Sequence, residues 1–410
     1  MRRLNKTLIK ISSFLISFAV IAMFILAAKT SHALPDEINV AKEGSAKIAS
    51  MPHVYLAASA SPASSGSASH YTASAKLWGF FPAGQVEVNV VPRQEVLLCG
   101  TTFGVKIYSK GLIVVSTAPV ICDNKSGSTS ICPADNAGIK PGDVITHVDG
   151  IEISKIIEFT NAIKNSGGKP VEITFLRNDT KKTVTLIPVL SQAESEYKTG
   201  LWVRESASGI GTLTFIDPET GYFGGLGHAI CDTDTGKGVP LADGSICNVI
   251  VTGVEKGAVG VPGELVGYLG DTVLGKLTQN GVSGVFGQYS ATMPEGIMVP
   301  VAMKQEVREG KAQMLVTLPG EETALYDILI EKINFDPDAP SRNMVIKVTD
   351  KRLLEMTGGI VQGMSGSPII QDGQFVAAAT HVFINDPTRG YAIFSENMVA
   401  SNHTLIGAAA

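Results

Sequence analysis

Little in this 410-residue chain points to a metal, a nucleic acid or a helical bundle. Its five cysteines, Cys99, Cys122, Cys132, Cys231 and Cys247, contain no Cys-x-x-Cys pair and no Cys/His spacing suited to zinc, so no metal site is expected. Charged residues are 17% of the chain and the formal net charge is -5, which supplies neither a basic footprint for nucleic acid nor a long acidic tail. Heptads, tandem repeats and nucleotide fingerprints are missing, and no cofactor is expected. Aromatics are only 6%, whereas glycine reaches 43 residues among many short alternating apolar runs, a texture of strands and tight turns. The length exceeds one ordinary domain of about 100–200 residues, so two folded units with connecting sequence are expected.

The N-terminus carries Arg2, Arg3 and Lys6 ahead of an apolar run from Ile11 to Ala28. Residues 1–33 therefore read as an export signal or a single membrane anchor, with the basic flank inside and the rest of the chain outside. Ser31-His32-Ala33 has the small-x-small form of a cleavage site, yet the run approaches spanning length, and both fates stay open. Residues 34–94 are expected to be an extracytoplasmic linker, because Ala57 to Ala75 is rich in Ala and Ser and offers little apolar surface to offset chain entropy. Such a segment is also open to nicking, including by the protein itself. In an oxidising compartment Cys122 and Cys132, which bracket a polar loop, could form a disulfide; Cys231 and Cys247 are a weaker pair.

From about residue 95 to 192 the pattern changes. Phe103-Gly104-Val105, Ile107 and the run Leu112 to Val115 give a loop and two strands. A short turn through Pro133-Ala134-Asp135-Asn136-Ala137-Gly138 leads to a strand ending at Asp149-Gly150. Ile156, Phe159 and Ile163 recur at i, i+3 and i+7, which predicts a helix with one apolar face, and two more strands follow. This stretch resembles a bacterial PDZ domain. The resemblance implies that Phe103, Gly104, Val105 and Ile107 bind peptides, the glycine turn taking a C-terminal carboxylate and the next strand accepting the peptide as an extra strand.

Residues 193–410 read as glycine-punctuated strands of a barrel or sandwich. Within them, Gly363-Met364-Ser365-Gly366-Ser367-Pro368 sets a serine on a tight turn between apolar runs. A serine hydroxyl needs a base to take its proton and N–H donors aimed at the oxyanion; the N–H groups of Gly363 and Ser365 can converge on one oxygen. Ser367 is a lesser rival. Of the seven histidines, His32 lies in the leader, His53 and His70 in the linker region, His147 in a PDZ strand and His403 in the tail. That leaves His228, flanked by glycines and suited to be the base, and His381, which reads as part of the wall binding the substrate backbone. For the group that orients the imidazole, Asp350 is the first candidate, although it also reads as the N-cap of a short helix; Asp271 is the other contender, and Asp232 and Asp234 follow His228 closely.

Taken together, Gly225 to Ile230, Thr357 to Ile369 and Thr380 to Tyr391 resemble the SpoIVB peptidases, the stage IV sporulation serine proteases of endospore-forming bacteria. The resemblance implies Ser365 as nucleophile, His228 as base and Asp350 as third member. It also implies a mainly β chain: an N-terminal membrane segment, a PDZ domain (α+β) and a chymotrypsin-like double β-barrel serine peptidase. The interval from Asp350 to Ser365 is shorter than chymotrypsin-like chains have. The implied role is an exported or anchored protease in the space between forespore and mother-cell membranes. It clips itself and cuts a membrane-bound regulator of an intramembrane protease, so activating the late mother-cell sigma factor, while the PDZ domain binds peptide C-termini. Two other readings are a membrane-tethered PDZ scaffold with an inactive barrel and a quality-control protease of the HtrA type, in which the peptidase precedes its PDZ domain.

Overall fold

The computed structural model describes residues 2–41, 46–58, 70–124, 127–320 and 322–401. Helix α1 (Arg2–Ala33) contains a 23-residue segment, Ile11–Ala33, of mean hydropathy 2.5 with none of it buried. At about 1.5 Å per residue it is long enough to cross a bilayer core.

The stretch expected to be a linker is folded. Strands β1 (Glu37–Ala41), β2 (Val54–Ala58), β3 (His70–Leu77) and β4 (Phe81–Val91) form a sheet in the order β1-β4-β3-β2. Ile38, Val40, Val86 and Val88 alternate into its core, and Ala73 and Ala75 fill positions where small side chains let the layers close. The Ala/Ser-rich composition thus hides a strand, β3; residues 42–45 and 59–69 of the expected linker lie outside the described residues. The sheet is fastened to the C-terminal half by Ala49 N donating to Gln305 O (2.7 Å), by Gln305 Nε2 donating to Asn39 O and by Asn39 Nδ2 donating to Glu396.

Strand β5 (Glu95–Thr117) then runs through two units. Its far end pairs with β6 (Val144–Val148) and begins a small sheet continued by β7 (Val171–Arg177) and β8 (Thr180–Leu186). Helix α2 (Ile156–Asn165) covers this sheet with Phe159 and Ile163, which bury against Ile145, Val171, Ile173 and Phe175. Its first turn is closed by the Glu158 carboxylate, which accepts from the N–H groups of Ser154 and Lys155 (2.9 and 3.0 Å). The chain leaves by β9 (Leu201–Ile216), paired antiparallel to β5 along its length.

The near ends of β5 and β9 belong to a barrel. With β10 (Tyr222–Gly225), β11 (Leu241–Glu255), β12 (Glu264–Gly281) and β13 (Gly284–Tyr289) they close a ring in the order β5-β9-β10-β13-β12-β11, since β11 returns to β5. A second six-stranded barrel closes as β14-β15-β16-β19-β18-β17: β14 (Gly310–Val316), β15 (Ala324–Ile333), β16 (Met344–Val348), β17 (Pro368–Gln371), β18 (Gln374–Phe383) and β19 (Asp386–Phe394). Helix α3 (Lys351–Thr357) lies between β16 and β17. The double barrel is the expected architecture, with one change of boundary: the first peptidase strand precedes the PDZ-like unit, which is inserted between β5 and β9.

This overturns the peptide-binding assignment of Phe103, Gly104, Val105 and Ile107. Phe103 and Ile107 are wholly buried and Val105 nearly so. Gly104 stands opposite Ile210 on one side and Cys247 on the other, and a Cβ there would collide with Leu269 and Cys247. Both edges of the strand are already paired, so it cannot accept a further strand. The cysteines are free; in the hairpin of strands Val120–Asn124 and Gly127–Ile131 the register puts Cys122 opposite Thr129, while Cys132 lies past its end beside Gly200.

Candidate active site

The Ser365 loop joins α3 to β17 and sits where the two barrels meet. Gly363 and Gly366 have φ of 97° and 95°, a region that favours glycine. At Gly366 a Cβ would also collide with Thr212 O and Leu226 N, so the glycine lets the loop press directly against barrel one. Barrel one grips the loop from β9: Thr212 N donates to Ser365 O (2.9 Å), Thr212 Oγ1 to Gly363 O (2.9 Å) and Thr214 Oγ1 to Gly366 O (2.7 Å). Barrel two grips it from β18, where Ala379 O accepts from Gly366 N (2.7 Å). Among the described residues the N–H groups of Gly363 and Ser365 donate to no acceptor.

Ser365 Oγ donates to the carbonyl of Thr380 at 2.8 Å. His228 projects from the turn after β10, where Leu226 and Gly227 both have positive φ. Its Nδ1 lies 2.9 Å from Ala229 O, so Nδ1–H donates there and Nε2 is left as the basic nitrogen. Burial pushes the His228 pKa below its ordinary value, outweighing that hydrogen bond. The ring of His381 lies beside that of His228, centroids 4.7 Å apart and planes tilted by 34°. Burial, then the neighbouring His228 and Arg342, bring the His381 pKa down to about 4.

Residues 195–399, half of the chain, match the family described as SpoIVB peptidase S55, and residues 131–177 match the PDZ domain family. The chain belongs to the SpoIVB peptidase S55 family. The PDZ match lies within the unit inserted between β5 and β9. A 72-residue stretch is also 38% identical to part of a protein of Nostoc sp. named as a zinc metalloprotease, covering 17% of this chain and 20% of that one, so the chain spans about a fifth of that curated relative. The PDZ domain of the SdrC-like protein from Listeria monocytogenes, a solved structure, is 19% identical with a TM-score of 0.17, over 21% of this chain and 87% of that one.

Of the expected residues, Ser365 and Gly363 share one loop, His228 is linked to that loop through the Thr380-His381 dipeptide of β18, and Asp350 is engaged elsewhere. Asp350 caps α3: its carboxylate accepts from Arg352 N (2.9 Å), Arg352 Nη2 (2.8 Å) and Asp327 N (3.3 Å). The Arg352 guanidinium, ahead of the backbone donors, holds its pKa at about 2. No hydrogen bond joins it to His228. The reason is local, because an N-cap followed two residues later by arginine satisfies its own carboxylate. Asp232 and Asp234 are likewise taken by Arg204. Sequence reasoning missed Thr212 and Thr214, although their alternation on one strand signalled a shared face, and it missed the pairing of His381 with His228, which no local pattern carries.

Proposed function

We propose that Ser365 is the nucleophile and His228 the general base of an endopeptidase, with the N–H groups of Gly363 and Ser365 as the oxyanion hole. The observation that carries this reading is a pair of unengaged N–H groups on a loop whose carbonyls are all held, with the serine on the same loop. As substrate binds, the Ser365 hydroxyl turns from the Thr380 carbonyl to His228 Nε2. Its proton passes to Nε2 while Oγ bonds the scissile carbonyl carbon, and the carbonyl oxygen takes the negative charge between the two N–H groups. Collapse breaks the C–N bond, Nε2 returns the proton to the leaving amine, and water releases the acyl group by the same route.

The same reading assigns the substrate and place. The peptidase clips itself near its N-terminus and cuts a membrane-bound regulator of an intramembrane protease in the space between forespore and mother-cell membranes, activating the late mother-cell sigma factor. Family membership and the membrane-length helix α1 support it. Peptide recognition falls to a groove of about 510 Å³ between α2 and the start of β9, lined by Ile156, Phe159, Ile163, Leu201 and Val203. That groove takes the role expected of the Phe103 segment.

The test is N-terminal sequencing and fluorophosphonate labelling of the full-length wild type and Ser365→Ala. The wild type should label and show a serine-dependent new N-terminus, and the variant neither. Labelling that persists in Ser365→Ala overturns the nucleophile assignment. The resting hydrogen bond from Ser365 to Thr380, rather than to His228, favours one second reading, a scaffold with an inactive barrel; it predicts no labelling in either protein.

A further inference from the structure

The two ends of the N-terminal sheet have different neighbours. One end is fastened to the peptidase: besides the bonds of Ala49 and Asn39, Arg93, just past β4, donates to Glu306 (2.6 and 2.9 Å) and to Val301 O (3.2 Å). The other end is the tight turn from β3 to β4, and helix α1 arrives there. Ser31 and Leu34 lie against Gly84, Asp36 O accepts from Glu87 N (2.9 Å), and β1 then runs parallel to β4 from Glu37 opposite Glu87 to Ala41 opposite Val91. The chain thus climbs the sheet from the turn end towards the peptidase, starting from a helix long and apolar enough to cross a membrane.

The turn end is aromatic. Trp78 and Phe80 are 40% and 66% exposed, and Tyr55, on the neighbouring strand β2, is 57% exposed. The His53 ring lies 6.5 Å from that of Trp78, and Phe80 packs on Phe81 at 4.9 Å. Neither Asp nor Glu occurs in residues 46–58 or 70–86, where the charges are Lys47 and Lys76. Trp78 and Gly79 both have positive φ, 51° and 81°. The first position of such a hairpin turn ordinarily takes Asn, Asp or Gly, and a bulky side chain is disfavoured there, so an exposed tryptophan points to a use other than folding.

We infer that this end of the sheet, with Tyr55, Trp78, Phe80 and Lys76, docks on the surface of the bilayer that α1 enters. Tryptophan and tyrosine settle at the level of lipid headgroups, with the ring in the apolar layer and the polar edge in water, and a lysine beside them suits anionic headgroups. The exposed rings gain there the burial they lack in the protein. Continuity selects a bilayer over a protein partner, because the same end of the sheet receives the membrane-length helix. Since β4 has 11 residues at about 3.3 Å each, the peptidase end of the sheet stands about 30 Å from the turn. The sheet is then a spacer that holds the barrels at a set height over the lipid. The inference is independent of the chemistry assigned to Ser365 and shares with the proposed function the reading of α1 as a membrane segment.

The chain has two tryptophans, Trp78 and Trp202, which makes the experiment direct. Full-length protein carrying Trp202→Phe, and Ser365→Ala so that self-cleavage cannot remove α1, is reconstituted into phosphatidylcholine–phosphatidylglycerol vesicles with or without bromine on the acyl chains near the headgroups. Trp78 emission should be blue-shifted and lost to the bromines. In the converse protein, Trp78→Phe with Trp202 kept, brominated lipid should leave the emission unchanged. Adding Tyr55→Ser and Phe80→Ser should restore Trp78 emission without moving the melting temperature, because both side chains are exposed. An unquenched Trp78 in protein that floats with the vesicles overturns the proposal, and a blue shift in that case assigns the aromatic end to a second copy of the chain. Quenching that survives Tyr55→Ser and Phe80→Ser overturns it too, since α1 alone then places the tryptophan, as does equal quenching of Trp202. Should the serine variant not melt cooperatively, the two single-tryptophan proteins decide. Protein that does not float with the vesicles overturns the docking together with the reading of α1, whereas floating without quenching sinks the docking alone.

Discussion

Thr212, on the first barrel, is bonded twice to the Ser365 loop of the second: its N–H donates to Ser365 O and its hydroxyl to Gly363 O, both at 2.9 Å. Ser365 and the proposed oxyanion donors are therefore held across the junction of the barrels, and the alignment of the two barrels bears on the proposed site.

Thr212→Val keeps the shape of the side chain and removes the hydroxyl, leaving the buried Gly363 carbonyl one partner short. An unsatisfied buried acceptor costs about 1–3 kcal/mol. The expected outcome is a slower fluorophosphonate reaction with peptide binding in the PDZ groove unchanged. An unaltered labelling rate contradicts the positioning role of Thr212.

Gly366→Ala should be more damaging. The alanine meets both an unfavourable φ and a collision with Thr212 O and Leu226 N. A strained αL-type residue costs at least about 1 kcal/mol and the collision adds to it. A lower melting temperature accompanied by lost labelling is predicted; a variant that melts with the wild type would show that the loops do not press together.

Asp350→Ala separates capping from catalysis. Loss of an N-cap lowers stability by about 0.5–2 kcal/mol, whereas loss of a triad carboxylate lowers the rate by about four orders of magnitude. Urea unfolding and labelling are measured on the same sample, and the first change is expected without the second. A rate collapse in a folded Asp350→Ala protein would return the aspartate to the site.

Stability should fall on mild acidification because of the histidine pair. His228 and His381 both have folded pKa values below the unfolded value of 6.5, so the unfolded chain binds their protons first. Their contribution is complete above 6.5 and is lost as pH falls from there to the folded value of His381, about 4. Asp350 adds a second, lower window, from 3.8 down to about 2. Denaturant midpoints measured from pH 7 downward should drop first in the histidine window, and in His381→Phe that first drop should shrink.

The glycine turn at Ser365 was legible because close backbone approach leaves a residue signature, and His228 because glycines surround it. The role of Asp350 was not legible, since a carboxylate before a short helix reads the same as a cap and as a triad member, and the sequence does not show how Arg352 pairs with it. Phe103-Gly104-Val105 misled for a related reason: an apolar strand with one glycine looks alike whether its edges are open or already paired. The N-terminal sheet stayed hidden because Ala73 and Ala75, its small core residues, share the composition of a flexible tract.

Because the PDZ unit is inserted between β5 and β9, the protein has an order of assembly. A chain made from its N-terminus presents Phe103, Val105 and Ile107 early, yet β11, which covers their other edge, arrives only after the whole insertion. The insertion can bury its own core from local segments before then, and in doing so it lays the start of β9 beside the end of β5. The inserted unit thus serves as the splint on which the first barrel is zipped, and a chain stalled before Leu241 would leave an unpaired, aggregation-prone strand exposed.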